Sequence, residues 1–439
     1  MKTKPMLGRF SLYGFLKNQQ YYDPFLILAF RQMGLSFFVI GLLTGFREVV
    51  INVMEIPSGA LADLFGRRRA MICSFVAYIG SFLLFGFTGL GANSGTLSSP
   101  AILPLLFAAM FCFGVGDAFR TGTHKAMIFT WLRVEGRLNE RTRVYGFTRS
   151  WSKLGSALSV FLSAVFVFSS SNYVYIFFFS IIPYLLGIIN FLGYPAEVDG
   201  DLKKDTSFGD VIQHLKQAFL VSMKQASLRR LLLESMGFEG FFSVCKDYLQ
   251  PVLKAAAIPL TATLLLHDQW DEPQRVALLV GPIYFVLYLF SAWASRKAYV
   301  LVDKQGGEDQ AARFLWLVIL LILTVMVPAL YFGWYAVIIP GFIALYVMQN
   351  FWRPVLISRI DNHSDEVMGA TVLSIESQVK SFCTMILAPL MGLVVDQMDT
   401  RSIGALPFWP VVLVGAVIAL VFVLVRGGDI NLPGPLPKL

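Results

Sequence analysis

Residues 59–69 read Gly59-Ala60-Leu61-Ala62-Asp63-Leu64-Phe65-Gly66-Arg67-Arg68-Arg69, and they sit between two long apolar runs. At the end of a membrane span each residue type in this stretch has a task. Gly66 makes the turn, Asp63 meets a helix N-terminus or a cation, and the arginines stay on the cytoplasmic side. The rest of the chain supplies the membrane context. It is 56% hydrophobic, and only 15% of its 439 residues are charged, too few to cover the surface of a soluble protein of this length. Its mean hydropathy is +0.65. Apolar runs of about 20 residues indicate helical spans, whereas a barrel would show shorter alternating segments.

The opening stretch resembles the loop between helices two and three of the major facilitator superfamily, whose pattern is roughly Gly-x-Leu-x-Asp-x-x-Gly-Arg-[Arg/Lys]. Gly59, Leu61, Asp63, Gly66, Arg67 and Arg68 all fall on it. The resemblance implies an all-α integral membrane protein of twelve transmembrane helices in two pseudo-symmetric six-helix halves. It also implies an inner-side latch at Asp63, and a carboxylate at the end of span two can cap the N-terminus of a helix in the other half, with span eleven near Gly369–Thr371 the candidate. Arg120-Thr-Gly-Thr-His-Lys-Ala126 and Gly369-Ala-Thr-Val-Leu-Ser374 further resemble bacterial permeases of the drug-exporter kind.

If span two ends just before Gly59, about 20 residues of helix start it near Phe37. Gly34-Leu35-Ser36 then becomes the first external turn, and span one runs from Leu12 to Met33. Span one carries Lys17, Asn18, Gln19, Gln20 and Asp23 into the membrane, so these residues must face an aqueous cavity or another helix. The remaining spans read as 69–90, 101–125, 143–168, 173–194, 229–254, 276–297, 313–331, 334–358, 367–394 and 405–426. The halves are residues 1–196 and 228–439. Between them, residues 197–227 form a cytoplasmic linker in which Phe208, Val211, Ile212, Leu215, Ala218 and Phe219 recur at helical spacing.

Orientation follows from the loops. Connections holding Arg67–Arg69, Arg133, Arg137, Arg141, Lys203, Lys204, Lys216, Lys224, Arg296, Lys297 and Lys304 lie inside, with both termini, and the outer connections are nearly bare of Lys and Arg. The net charge of +8 therefore reflects topology and anionic lipid contact, and implies no nucleic acid. Cys73, Cys112, Cys245 and Cys383 sit singly in apolar runs and read as small core residues, with no metal or disulfide. The basic N-terminus shows no cleavage-site pattern, so span one is expected to stay in the mature protein.

Two short echoes relate the halves. Asp117-Ala-Phe119-Arg120 in span four matches Asn350-Phe-Trp352-Arg353 in span ten, and Tyr21 with Pro24 in span one matches Tyr248 with Pro251 in span seven. In the superfamily these helices line a central cavity. By helix position, the resemblance places Asp23, Arg120, Asp247 and Arg353 around one aqueous site.

Asp117, Arg120 and His124 share a helical face, as do Glu239, Lys246 and Gln250, with Asp247 adjoining. Two readings stay open for these charges: self-neutralising ties between helices, or a site for cargo. For cargo, Arg120 and Arg353 approach from opposite halves with guanidinium forks suited to carboxylate or phosphate. Tyr21, Phe119, Tyr248 and Trp352 add aromatic surface, and Gln20, Asn350, Lys246 and Gln250 add polar groups. Asp23, Glu48, Asp117 and Asp247 are the proton-coupling candidates. Glu48 beside Arg47, and Glu376 four before Lys380, read rather as interhelical ties. Arg149 and Lys153 read as ties or as a basic inner vestibule. Ser291–Lys297, the second-half counterpart of the opening motif, lacks its aspartate and both glycines.

The expected function is a secondary carrier of a small organic anion or zwitterion, proton-coupled, monomeric, without cofactor, in a bacterial inner membrane. The runner-up is an exporter of amphipathic compounds. A non-transporting receptor or scaffold is the alternative from another class. The chain has no Gly-x-x-x-x-Gly-Lys loop for an ATP-driven pump and no His/Cys/Asp/Glu set with catalytic spacing, so it does not read as an enzyme.

Overall fold

The computed structural model describes residues 3–121, 123–137, 140–199, 223–263, 270–363, 369–399 and 404–425. Among them every regular element is a helix. Ten helices are long and apolar enough to cross a membrane. Two interrupted helical tracts, residues 3–32 and 226–263, occupy the places of spans one and seven.

The turn positions follow local chemistry. Gly34 and Gly66 both have positive φ, at 84° and 95°, and a side chain at either position would be strained. The Ser36 side chain accepts from the Val39 N–H and starts span two at Phe37. Span two does not stop before Gly59. It continues to Phe65, because Gly59-Ala-Leu-Ala-Asp-Leu-Phe contains good helix formers and only Gly66 turns the chain. The linking loop is thus Gly66 alone, and span three begins at Arg67.

Span eight likewise runs unbroken from Glu272 to Gln305, through Ser291–Lys297, and the turn into span nine falls at Gly306 and Gly307. The sequence segment expected to mirror the Gly59 motif is therefore helix interior, and Arg296, Lys297 and Lys304 are helical residues rather than loop residues.

Span one is not the continuous helix Leu12–Met33. It is Thr3–Lys17, a non-helical stretch over 18–22, a 3-10 turn Asp23–Phe25 and a short helix Leu26–Gln32. The polar run Lys17–Gln20 and Pro24 cannot sustain a lipid-facing helix. The freed backbone is satisfied from a neighbouring span, as the Ser163 hydroxyl donates to the Tyr21 carbonyl at 2.5 Å, and the Gln19 side-chain amide ties the stretch to the same span through the Gly155 carbonyl at 3.1 Å. Span seven is interrupted too. A π-helical turn occupies Met236–Gly240 and a 3-10 turn Lys246–Tyr248, between the helices Ala226–Ser235, Phe241–Cys245 and Leu249–Thr263.

Pairings within the halves repeat. Span three packs on four and six while span nine packs on ten and twelve; span two packs on four while span eight packs on ten. The halves meet along spans two and eleven and along five and eight. The first contact is close because Gly41 and Gly392 lie against the backbone of Ala388 and of Phe37, where a Cβ would collide. Outward-facing Ile189, Leu192 and Leu321 are each about two-thirds exposed, as lipid-facing side chains are. The expected amphipathic linker helix, within 200–222, lies outside the described residues.

Candidate functional site

The end of the bundle that carries Arg67–Arg69 holds a cavity of about 500 Å³ inside the first half. Three elements supply it: the helix Thr3–Lys17, the end of span four with the short helix Thr123–Val134, and the matching half of span five. Lys17, Arg120, Lys125, Arg149 and Lys153 line it together with His124, Asn18, Ser152 and Ser156. Asp117 offsets one of these cations, pairing with Arg120 at 2.6 Å, and Tyr78 donates to the same carboxylate oxygen. The Arg120 Nε in turn donates to the Tyr78 hydroxyl at 3.2 Å. Lys17 feels both Arg120 and Arg149 as like charges. An excess of positive charge at the end of a broken helix, beside hydroxyl and amide groups, gives this cavity a lining electrostatically suited to an anion.

Span four stops at Arg120, where Thr121 turns extended, so His124 opens a second helix rather than continuing the Asp117–Arg120 face. Its ring stacks on Tyr13 with centroids 3.7 Å apart and its Nε2 lies 3.3 Å from the Tyr194 hydroxyl. Both residues still line the cavity, brought there by the turn.

A second group of charges lies where the two interrupted spans cross. The Gln250 amide donates to the Asp23 carbonyl and accepts from the Ile27 N–H, both at 2.8 Å, which joins the two halves. The Tyr288 hydroxyl donates to Asp23 at 3.0 Å. Lys246 pairs with Asp247 at 3.3 Å, and both interact electrostatically with Asp23 and Arg47. Arg47 is bonded to Glu48 at 2.7 Å, and Glu48 accepts from Ser381 of span eleven, an interhelical tie.

Arg353 stands apart from both groups in its bonding. It donates to Glu239 of span seven at 2.9 Å and to Glu376 of span eleven at 2.7 Å. Its sequence counterpart Arg120 instead uses an acid from its own helix. Asn350, where the first half has Asp117, donates to the Tyr346 carbonyl. The π turn shifts helical phase at Glu239, so this carboxylate meets spans ten and eleven rather than sharing a face with Lys246.

The aromatic candidates are mostly packed away. Trp352 is fully buried between Trp316 and Phe238, and Tyr248 packs against Phe37 and Phe408. Tyr21 is buried against Phe166; Phe119 and Gln20 are half-buried.

The motif residues surround one helix N-terminus. Asp199, in the 3-10 turn after span six, accepts from the Arg68 N–H at 2.6 Å, and a Cβ at Gly66 would lie 3.0 Å from its carboxylate. Arg68 donates to the Tyr194 carbonyl and Arg67 to Thr130. Gly59 is exposed on the helix. The Asp63 side chain and Gly369–Thr371, the expected latch, lie outside the described side chains. Asp199 escaped the sequence reading because nothing local marks a cap supplied from 131 residues away.

The two ends of the bundle are held differently. At the end opposite the arginines, Asp396 accepts from the N–H groups of Phe37 and Phe38 at 2.8 and 2.7 Å, and Arg31 pairs with Asp399 at 3.1 Å. Gln274 donates there to the Phe168 carbonyl. Near the arginine end, Lys153 of span five and Arg296 of span eight repel each other across the halves. Cross-half bonds close the end opposite the arginines; toward the arginine end the Ser374 hydroxyl of span eleven still donates to Glu55 of span two at 3.1 Å, so the halves are bonded there too despite the like charges of Lys153 and Arg296.

The Major Facilitator Superfamily model matches residues 10–377. The chain belongs to that superfamily. No curated protein matches it in sequence. Among solved structures it is similar to the nucleoside transporter NupG, with TM-score 0.75 at 11% identity over 95% of this chain and 98% of that one. It is also similar to a POT family transporter in complex with 5-aminolevulinic acid, with TM-score 0.66 at 14% identity over 95% of each chain. A third is the xylose transporter XylE from E. coli in its inward open conformation, with TM-score 0.62 at 14% identity over 95% and 94%. At these identities the likeness is one of fold. This superfamily member is a multi-pass helical membrane transporter whose interior charges, unlike its lipid face, are grouped by helix breaks.

Proposed function

We propose that this transporter is a proton-coupled secondary carrier of a small organic anion or zwitterion, moved by alternating access. The observation that carries the reading is the cavity lined by Lys17, Arg120, Arg149 and Lys153, where, among the described residues, the cations outnumber the acid bonded at its wall, Asp117. Arg120 offers a planar fork to a carboxylate or phosphate, and the lysines supply charge without fixed geometry. Arg353, from the other half, is the residue proposed to complete the grip. The arginine end of the bundle is assigned to the cytoplasm by the positive-inside rule, with both termini inside, in a bacterial inner membrane. The halves are residues 1–196 and 228–439, joined through 197–227, and a single chain forms the pathway with small-molecule cargo, protons and lipid as its partners.

A thermal-shift screen of the purified protein tests this reading. A bound ligand at 100 times its dissociation constant stabilises the folded state by about 2.7 kcal/mol. Small carboxylates, phosphates or amino acids are expected to raise the melting temperature, and Arg120→Gln is expected to abolish the shift. Stabilisation by lipophilic cations and by no anion would replace this reading with the amphipathic exporter.

A further inference from the structure

In the second half, two carboxylates compete for one guanidinium nitrogen. Arg353 Nη1 lies 2.9 Å from Glu239 Oε2 and 2.7 Å from Glu376 Oε1. The Glu239 side chain is 5% exposed and that of Glu376 fully buried, while about a third of the Arg353 side chain is exposed. The remaining oxygen of each carboxylate, Glu239 Oε1 and Glu376 Oε2, is buried and has no hydrogen-bond partner among the described residues. An ionised carboxylate with a desolvated, unpartnered oxygen is costly, and two that repel each other are costlier.

The two acids are not equally supported. Glu376 also accepts from the Ser235 hydroxyl, whereas among the described residues the further support of Glu239 is Lys380 of span eleven, 3.8 Å away. Other titratable groups around Glu239 are few. Span ten contributes Arg353; span eleven contributes Glu376, Lys380 and Cys383, the last against Gly240; span twelve, which also packs on this turn, has none. The backbone here is the π turn Met236–Gly240, an irregularity that helices often carry at working sites.

We propose that Glu239 is the proton-carrying group of this transporter, and that its protonation releases Arg353 to meet anionic cargo. A proton from inner water adds to the Glu239 carboxylate, which becomes neutral. The Glu239–Arg353 ion pair is lost, and Arg353 keeps its own proton. Glu376 remains ionised on Ser235 and Arg353, so the guanidinium stays anchored by one acid and gains a free valence for an anion. Proton and anion then bind together and travel in the same direction. The inference rests on the anion-carrier reading for its second half only.

Infrared difference spectra of the purified full-length protein, stepped from mildly alkaline to mildly acidic pH, test the proton site. A protonated-carboxyl C=O band is expected in the wild type, absent in Glu239→Gln and retained in Asp247→Asn. A band undiminished in Glu239→Gln, or lost in Asp247→Asn, would overturn the assignment. If Glu239→Gln does not fold, Glu239→Asp must shift the midpoint of the band's appearance, and an unmoved midpoint counts against the site equally. The release of Arg353 is read with benzoate as probe. Benzoate should stabilise the wild type against heat only at acidic pH, and Glu239→Gln at both pH values. Equal stabilisation of the wild type at both pH values would overturn the coupling. Stabilisation of neither protein, with the infrared band behaving as expected, would remove the anion reading while the proton site stands.

Discussion

Asp396 of span eleven caps span two from across the halves, both of its carboxylate oxygens accepting backbone N–H groups, from Phe37 at 2.8 Å and Phe38 at 2.7 Å. The first N–H groups of a helix have no partner of their own, and the helix dipole adds attraction for a carboxylate there. The contact can form only when the two halves approach at the end opposite the arginines. It is therefore a bond of the state closed at that end.

Asp396→Ala should loosen that closure. A charge-assisted hydrogen bond contributes about 1.5–3 kcal/mol, and the half-exposed setting of this carboxylate reduces the loss to about the 1.4 kcal/mol that corresponds to a tenfold shift in population. Hydrogen exchange of the Phe37–Ile40 amides should accelerate about tenfold, with Asp396→Asn falling between. Exchange unchanged in Asp396→Ala would mean the cap is absent in solution.

Asp199→Ala should destabilise the arginine end without touching the cavity. It removes the carboxylate that caps span three at Arg68, a loss of about 1 kcal/mol. Gly66→Ala should cost more, since it both strains a φ of 95° and crowds the same carboxylate. Melting temperatures of the two variants, measured side by side, check the order, and Gly66→Ala melting above Asp199→Ala would contradict it.

Arg120→Lys separates charge from geometry. If Arg120 grips a carboxylate or phosphate bidentately, lysine at this position should weaken binding about tenfold or more while leaving the cavity positive. Equal affinity in wild type and Arg120→Lys would make Arg120 a tie to Asp117 and Tyr78, and the cargo would be held by the lysines.

Topology is read with an impermeant thiol reagent on intact cells, in a background lacking the native cysteines. Ser94→Cys, exposed at the end opposite the arginines, should label from outside, and Lys304→Cys, exposed at the arginine end, should not. The reverse pattern would invert the molecule in the membrane and with it the side from which the Lys17–Arg120 cavity opens.

The hydrophobic runs and their flanking glycines were enough to place the spans, because a helix in lipid must bond its own backbone and so has a length set by the bilayer. The turns at Gly34 and Gly66 were legible for a similarly local reason, a backbone angle that other residues resist. The end of span two was not, since residues 59–65 are as compatible with helix as with loop until Gly66 is seen to make the turn alone. The polar run Lys17–Asp23 announced a special segment within span one, but not that the helix would break there. That depended on Ser163 and Gln250 being at hand to satisfy the freed backbone, and on Gln250 joining the halves.

Charge pairing was decided by tertiary structure almost throughout. Within one helix the sequence suffices, as for Asp117 with Arg120, three residues apart. Arg353 has acids 114 and 23 residues away, and Asp199 accepts from the Arg68 N–H, 131 residues earlier, to cap its helix. The sequence by itself determined a multi-span helical membrane protein with arginine-rich turns at one end, because burial and backbone bonding in lipid act locally along the chain, and the resemblance of its Gly59–Arg69 stretch supplied the transporter family. Only the tertiary structure decided which cation faces which acid, because Coulomb interactions and hydrogen bonds depend on distance in space, and helix breaks and the π turn at Glu239 rotate side chains away from the faces that regular spacing assigns to them.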